Sequence, residues 1–158
     1  MPLPLLTTLQ AEKFAEMMNA EAKKLMATNS HFVNPSGLHD DNHYTTAYDL
    51  YLIFNECIKH DEFVKIINSS SYTAHITGAD GTKRDVKWEP TNYYAKGEAT
   101  PPDNVTIIGG KTGTTKGAGN CLILLTKDSS GNPYISIIMG AGSKPLLYQD
   151  MTSMLSKI

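Results

Sequence analysis

Residues 105–120 read Val105-Thr106-Ile107-Ile108-Gly109-Gly110-Lys111-Thr112-Gly113-Thr114-Thr115-Lys116-Gly117-Ala118-Gly119-Asn120. The β-branched, apolar run Val105–Ile108 has the composition of a strand, and it leads into Lys111-Thr112-Gly113. A strand with that ending presents an ammonium, a hydroxyl and a glycine whose missing side chain leaves the strand edge open. An extended peptide can add along such an edge by exchanging backbone hydrogen bonds. Lys111 then supplies fixed positive charge for a carboxylate, and the Thr112 hydroxyl can donate to the same group. Lys111, Thr112, Gly113 and Thr114 are therefore the candidate site residues. The same letters resemble the tail of a phosphate-binding loop, but that motif needs a glycine where Val105 stands. It also continues into an apolar helix, whereas here Gly113-Thr114-Thr115 follows.

Outward from this strand, the C-terminal part reads as antiparallel sheet. Cys121–Thr126 and Tyr134–Met139 are apolar runs joined by Lys127-Asp128-Ser129-Ser130-Gly131-Asn132-Pro133, a turn by composition, and residues 146–158 read as a closing helix. On the N-terminal side, Thr7 and Gln10 have capping-box spacing, and Phe14, Met17, Met18, Ala22 and Leu25 recur at helical spacing. That helix is expected to end near residues 27–29. Asn34-Pro35-Ser36-Gly37 is turn chemistry, with Gly37 free to take positive φ. Thr46 and Asp49 suit the N-cap and N3 positions of a second helix whose buried stripe is Leu50, Ile53, Phe54, Cys57 and Ile58. A short helix over 61–67 follows, then two strands, 71–76 and 82–88, around a turn containing Asp80-Gly81. Residues 89–104, with Pro90, Pro101 and Pro102, read as a long surface loop.

The chain has 158 residues, 41% of them hydrophobic and 19% charged, a globular composition that suits a single domain over 1–158. A net charge of −2 and the lack of a basic run give no field for nucleic acid or an anionic membrane, and no apolar stretch reaches membrane-spanning length. A small partner is expected. Met1-Pro2-Leu3-Pro4-Leu5-Leu6 has no basic leader, so a signal peptide is not expected; a cytoplasmic protein, a mature form and a fragment all stay open. Cys57 and Cys121 lack metal-like spacing and read as small buried hydrophobes rather than a disulfide. The histidines (31, 39, 43, 60 and 75) show no metal-ligand spacing. No metal and no cofactor are expected. His43 reads as a brace at the second helix start, Asp40-Asp41 as an exposed turn pair, and Tyr93-Tyr94 either lines a groove or packs on the sheet.

Five segments in order, Asn34-Pro35-Ser36-Gly37-Leu38, His43 to Leu50, Thr91-Asn92, Gly109 to Thr115 and Ala118 to Leu122, closely resemble the D-alanyl-D-alanine carboxypeptidases among the low-molecular-mass penicillin-binding proteins. Met18-Asn19 and Ala22 to Leu25 resemble the helix before the family's Asn-Pro turn. The resemblance covers roughly residues 10 to 158, and Lys111-Thr112-Gly113 matches the family's Lys-Thr-Gly motif. It implies an α+β fold, a β-lactamase/transpeptidase-like antiparallel sheet flanked by helices, present here in part. It also implies removal of the terminal D-alanine from peptidoglycan stem peptides through a serine acyl-enzyme that β-lactams trap, without a metal, in a parent protein outside the cytoplasm. In that chemistry the Thr114 N–H donates to the tetrahedral oxyanion.

The sequence departs from the family pattern where the reaction begins. No serine has lysine three positions later, so the family's Ser-x-x-Lys is absent from these residues and would precede residue 1. The family's Ser-x-Asn is represented only by Ser130-Gly131-Asn132, which follows Lys-Thr-Gly and is explained by its turn. The first sheet strands and the extra C-terminal domain of many members are absent too. The expectation is a C-terminal portion of the catalytic domain, inactive alone because the nucleophile is lacking. The alternative is a non-catalytic module that binds peptidoglycan peptides or associates with another chain. Either way, the incomplete sheet is expected to expose an edge that favours pairing between copies.

Overall fold

A computed structural model describes residues 8–158, as α1 (Thr8–Lys24), α2 (Ala47–Cys57), α3 (Asp61–Ile67), β1 (Tyr72–Thr77), β2 (Lys83–Trp88), α4 (Tyr93–Lys96), β3 (Val105–Thr115), β4 (Gly119–Asp128), β5 (Pro133–Ala141) and α5 (Lys144–Leu155). The expected Thr7 cap lies outside the described residues. β1 and β2 form a separate hairpin, and the second sheet runs β3-β4-β5, antiparallel throughout. The α+β class with an antiparallel sheet flanked by helices is therefore present.

Register assigns the two faces of the three-stranded sheet. Opposite residues of an antiparallel pair share a face. Gly110 faces Leu124, and Thr112 faces Leu122. Leu122 and Leu124 pack with Val105, Leu147, Tyr148, Met151 and Leu155, so this face is the one α5 covers. Each such side chain withdrawn from water contributes about 1.5–3 kcal/mol. Ser143 caps α5 by accepting from the Leu146 N–H, with a proline in the first turn, which moves the helix start ahead of the expected residue 146. Gly109, Lys111 and Gly113, opposite Leu125, Ile123 and Cys121, lie on the other face. There α3 approaches so closely that a Cβ on Gly109 would sit 2.3 Å from the Ile67 carbonyl oxygen.

The N-terminal helices follow the expected order with two corrections. In α1 the buried positions are Ala15 and Ala22, with Met18, and Leu25 just past the helix, half-buried, whereas Phe14 and Met17, expected in the stripe, are exposed. Helical period alone does not say which edge of a broad apolar face meets a neighbour, and here the small alanines permit the close approach. α1 also stops at Lys24, short of residues 27–29, because Met26 takes a left-handed φ of 64°, outside the helical range. In α2 only Phe54 of the expected stripe is fully buried, meeting the α3 ring of Phe63 edge-on.

Thr46 caps α2, its side chain accepting from Asp49 N. Asp49 is more than a dipole partner: it is 1% exposed, and its carboxylate accepts from the Asn29 N–H and the Ser30 hydroxyl, both at 2.7 Å. One buried carboxylate thus ties the exit of α1 to the start of α2, with its lone pairs matched as burial requires. Asn34 closes the Asn-Pro-Ser-Gly turn by accepting from the N–H groups of Ser36 and Leu38, and Gly37 has the positive φ its place in the turn invites, 74°. His43 braces this turn rather than the helix: its Nδ1 accepts from Val33 N at 3.2 Å, and its ring meets Phe32 edge-on.

Residues 89–104 are not all loop. Asn92 caps the single turn α4, which sets Tyr93 flat against Tyr148, centroids 4.6 Å apart. The Tyr94 hydroxyl shares a hydrogen with Thr152 at 2.7 Å. The tyrosine pair therefore packs on α5. Burial pushes the Tyr148 and Tyr94 phenols above their ordinary values, so both keep their hydrogens at neutral pH. Ser130-Gly131-Asn132 lies in the β4–β5 turn, where the Asp128 carboxylate accepts from the N–H groups of Ser130 and Asn132.

Candidate functional site

The strand register fixes what Lys-Thr-Gly can present. β3 pairs with β4 along one edge only, and no strand among the described residues pairs along the other. Lys111 is exposed, on the α3 face of the sheet. Its ammonium donates to the Thr112 carbonyl, and no carboxylate among the described residues lies within ion-pair distance of it. The cation is held by backbone and has hydrogens to spare. Thr112 points to the opposite face, where its hydroxyl meets that of Thr91 at 2.5 Å. Thr91, part of a segment that carries the resemblance but not one of the expected site residues, thus joins the site.

Gly113 carries no side chain into the edge, and a Cβ there would find nothing nearer than the Cys121 Cβ at 3.9 Å. Thr114 is exposed, its hydroxyl turned toward the Asn120 side-chain oxygen at 3.4 Å. Lys111 and Thr112 line one cleft of about 420 Å³ between β3, the end of α3 and the base of the β1–β2 hairpin, together with Ile66, Tyr72, Trp88 and Asn92. Thr112 and Thr114 line a neighbouring hollow with Thr91, Lys144 and Tyr148. All four expected residues thus follow one another along a single open edge, flanked by two concavities.

The sequence alone assigns Asn92 no role. It is 4% exposed; its Oδ1 caps α4 by accepting from Tyr94 N at 3.1 Å. Its Nδ2 is the buried side-chain polar atom among the described residues that has no hydrogen-bond partner, beside the cleft that Lys111 lines. An unmatched buried amide donor is uncommon in folded proteins.

Cys57 and Cys121 are both free and half-buried, rather than buried as expected. Burial nevertheless pushes the Cys57 thiol up. Cys121 Sγ lies 3.4 Å from the Ala118 carbonyl oxygen and 3.5 Å from Gly140 N. Among the described residues no cluster of three or more His, Cys, Asp or Glu side chains is placed to hold a metal, and no helix is long and apolar enough to cross a membrane. Asp40 and Asp41 are exposed as expected.

The family described as D-alanyl-D-alanine carboxypeptidase matches residues 10–143. The chain is similar to the D-alanyl-D-alanine carboxypeptidase DacF of Bacillus subtilis, 28% identical over 149 residues, which are 91% of this chain and 34% of that protein. It is also similar to DacD of Escherichia coli, 31% identical over 133 residues, 83% of this chain and 30% of the relative. The chain thus spans about a third of the length of these relatives. Among solved structures, a variant of a Streptomyces DD-transpeptidase superposes with a TM-score of 0.82 at 26% identity, over 93% of this chain and 54% of the other. With a match across most of its residues and this fold, the chain belongs to the D-alanyl-D-alanine carboxypeptidase family.

Proposed function

We propose that this chain carries the substrate-docking edge of a serine-type D-alanyl-D-alanine carboxypeptidase, with the peptidoglycan stem peptide as ligand and β-lactams as its mimics. The observation that carries the reading is the open β3 edge with a Lys111 ammonium that has no carboxylate partner among the described residues, beside the Thr91–Thr112 hydroxyl pair. A peptide laid along β3 exchanges backbone hydrogen bonds with it, its terminal carboxylate meets the Lys111 charge and the Thr112 hydroxyl, and the Thr114 N–H serves the oxyanion. The parent protein acts outside the cytoplasm, where its substrate is, and residues 1–158 form one part of its catalytic domain. Alone, this chain docks but does not hydrolyse.

Calorimetric titration with acetyl-D-alanyl-D-alanine tests the docking step. Lys111→Ala is expected to weaken binding about tenfold, in the range of a charge-assisted hydrogen bond, and capping the peptide as its C-terminal amide is expected to weaken it comparably. An amide that binds wild type as tightly as the free acid removes the carboxylate from the argument.

The second reading, a non-catalytic module that associates with another chain, is favoured by the second free edge. β5 ends the sheet among the described residues and its nine residues carry no charge; its bulge lies at the far end, between Ile138 and Ala141, which leaves Pro133 to Ile138 without the charge or bulge that usually protects an edge. Strand pairing between copies follows. Size-exclusion with light scattering is expected to show a concentration-dependent dimer, and Ile137→Lys in β5 is expected to return it to monomer. A strict monomer at high concentration would argue that the edge is blocked.

A further inference from the structure

The cleft that receives Lys111 has a second character that the Lys-Thr-Gly edge does not explain. Part of its lining is large and apolar. Tyr72 and Trp88 are register partners at the base of the β1–β2 hairpin, and their rings stack at 6.0 Å with 24° between planes. Both are well exposed, 63% and 55%, as is Ile66 at the end of α3. These three line the same cleft as Lys111 and Thr112.

Large apolar side chains exposed singly are ordinary; three that line one cleft together with a cation are not. Cross-strand aromatic stacking holds two rings as a shelf at low entropic cost, since each ring has only two free torsions and neighbours that restrain them. Glu89 also lines the cleft, its carboxylate paired with Lys87 at 3.1 Å. This cleft is lined by an ammonium without a carboxylate partner and by a paired hydroxyl. These are donors and call for acceptor oxygens, while the shelf calls for apolar surface. The complement is a carboxylate that bears an apolar, preferably aromatic, substituent.

We propose that Tyr72, Trp88 and Ile66 form a side-chain subsite that selects ligands of the Lys111–Thr112 edge for an aromatic or bulky apolar substituent. This rests on the carboxylate-docking reading above and adds to it which carboxylates dock best. Ring-on-ring contact with Trp88 and removal of the shelf from water supply the preference. Lys111 supplies affinity common to every ligand.

Two probes separate these contributions: phenylacetyl-D-alanyl-D-alanine and acetyl-D-alanyl-D-alanine, identical at the carboxylate and different only in the ring. By calorimetry wild type is expected to bind the phenylacetyl ligand roughly tenfold more tightly, the scale of partial burial of one ring. Trp88→Ala and Tyr72→Ala, both at exposed hairpin positions and checked for native circular dichroism, are each expected to bring the two ligands within about twofold. Lys111→Ala is expected to weaken both ligands and leave their ratio near ten. Trp88 is the sole tryptophan, so its emission should shift with the phenylacetyl ligand and not with the acetyl one. Equal affinity of wild type for the two ligands, or a preference that survives both hairpin substitutions, overturns the subsite and leaves the docking edge standing. If neither ligand binds wild type, the docking reading fails, and the subsite with it.

Discussion

Gly110→Ala is expected to destabilise the chain by about 3 kcal/mol, the upper end of overpacking costs, and to abolish ligand binding at the neighbouring Lys111. A Cβ at Gly110 would lie 2.2 Å from the Ile123 carbonyl oxygen and 2.7 Å from Leu124 Cδ2. The leucine tip could rotate, but the carbonyl belongs to the β3–β4 ladder and moves only with the strand. Either β3 separates from β4 next to Lys111, or the face packed on α5 opens. For a chain of this size the loss corresponds to a fall in Tm of about 10 °C, read by thermal denaturation followed in the far ultraviolet. Gly113→Ala is the contrast, since a Cβ there meets nothing closer than 3.9 Å. Its stability is expected to stay within about 1 kcal/mol of wild type, near the general cost or gain of a glycine-to-alanine exchange, while its new methyl narrows the edge that a ligand must lie along. A Gly110→Ala protein with unchanged Tm would mean that this strand pair yields more easily than its ladder implies.

The contrast between these glycines also marks what sequence reading reaches. Strand identity, the Asp80-Gly81 turn, the Asn34 turn with Gly37 and the Thr46 cap are local: each depends on residues within about four positions of one another, and each is where patterning places it. The face of α1 is not local. Phe14 and Met17 have the same hydrophobicity as a core residue, yet Ala15 and Ala22 are the positions a neighbour reaches. The short helix α4 was hidden because its cap, Asn92, sits among prolines and polar residues, and its stability comes from Tyr93 and Tyr94 meeting Tyr148 and Thr152, more than fifty positions away. Within the site, Lys111 to Thr114 are contiguous and legible as a motif. Thr91, Asn92 and the Tyr72–Trp88 shelf join them only through folding, and the nearest of these is some twenty residues off in sequence. Periodicity carries no information at that range.

Exposure of the 158-residue chain to a fluorescent penicillin is expected to leave no covalent adduct by intact-protein mass, although the ligand's carboxylate can occupy the Lys111 edge. Acylation needs a nucleophile with a base in hydrogen-bond reach, and neither Ser69 nor Ser71, the serines that line the Lys111 cleft, has a lysine or histidine bonded to its hydroxyl. Ser69 lines the Lys111 cleft, but its hydroxyl donates to the Lys65 carbonyl at 2.8 Å. Ser30 is bound to Asp49, and Ser143 caps α5. No serine hydroxyl among the described residues bonds a lysine ammonium or a histidine ring. Thr112 shares its hydrogen with Thr91. Carboxylate anchoring and an oxyanion donor, left without the nucleophile, retain only a small residue of catalysis, since loss of the attacking group costs on the order of 10⁶ in rate. The mass of a β-lactam added to the protein would reverse this conclusion, and peptide mapping would then assign the nucleophile. Cys121 is the residue to look for first, because it faces Gly113 across the ladder and its thiol is half-exposed. A Cys121→Ala protein that still acylated would direct the search to the serines of the cleft.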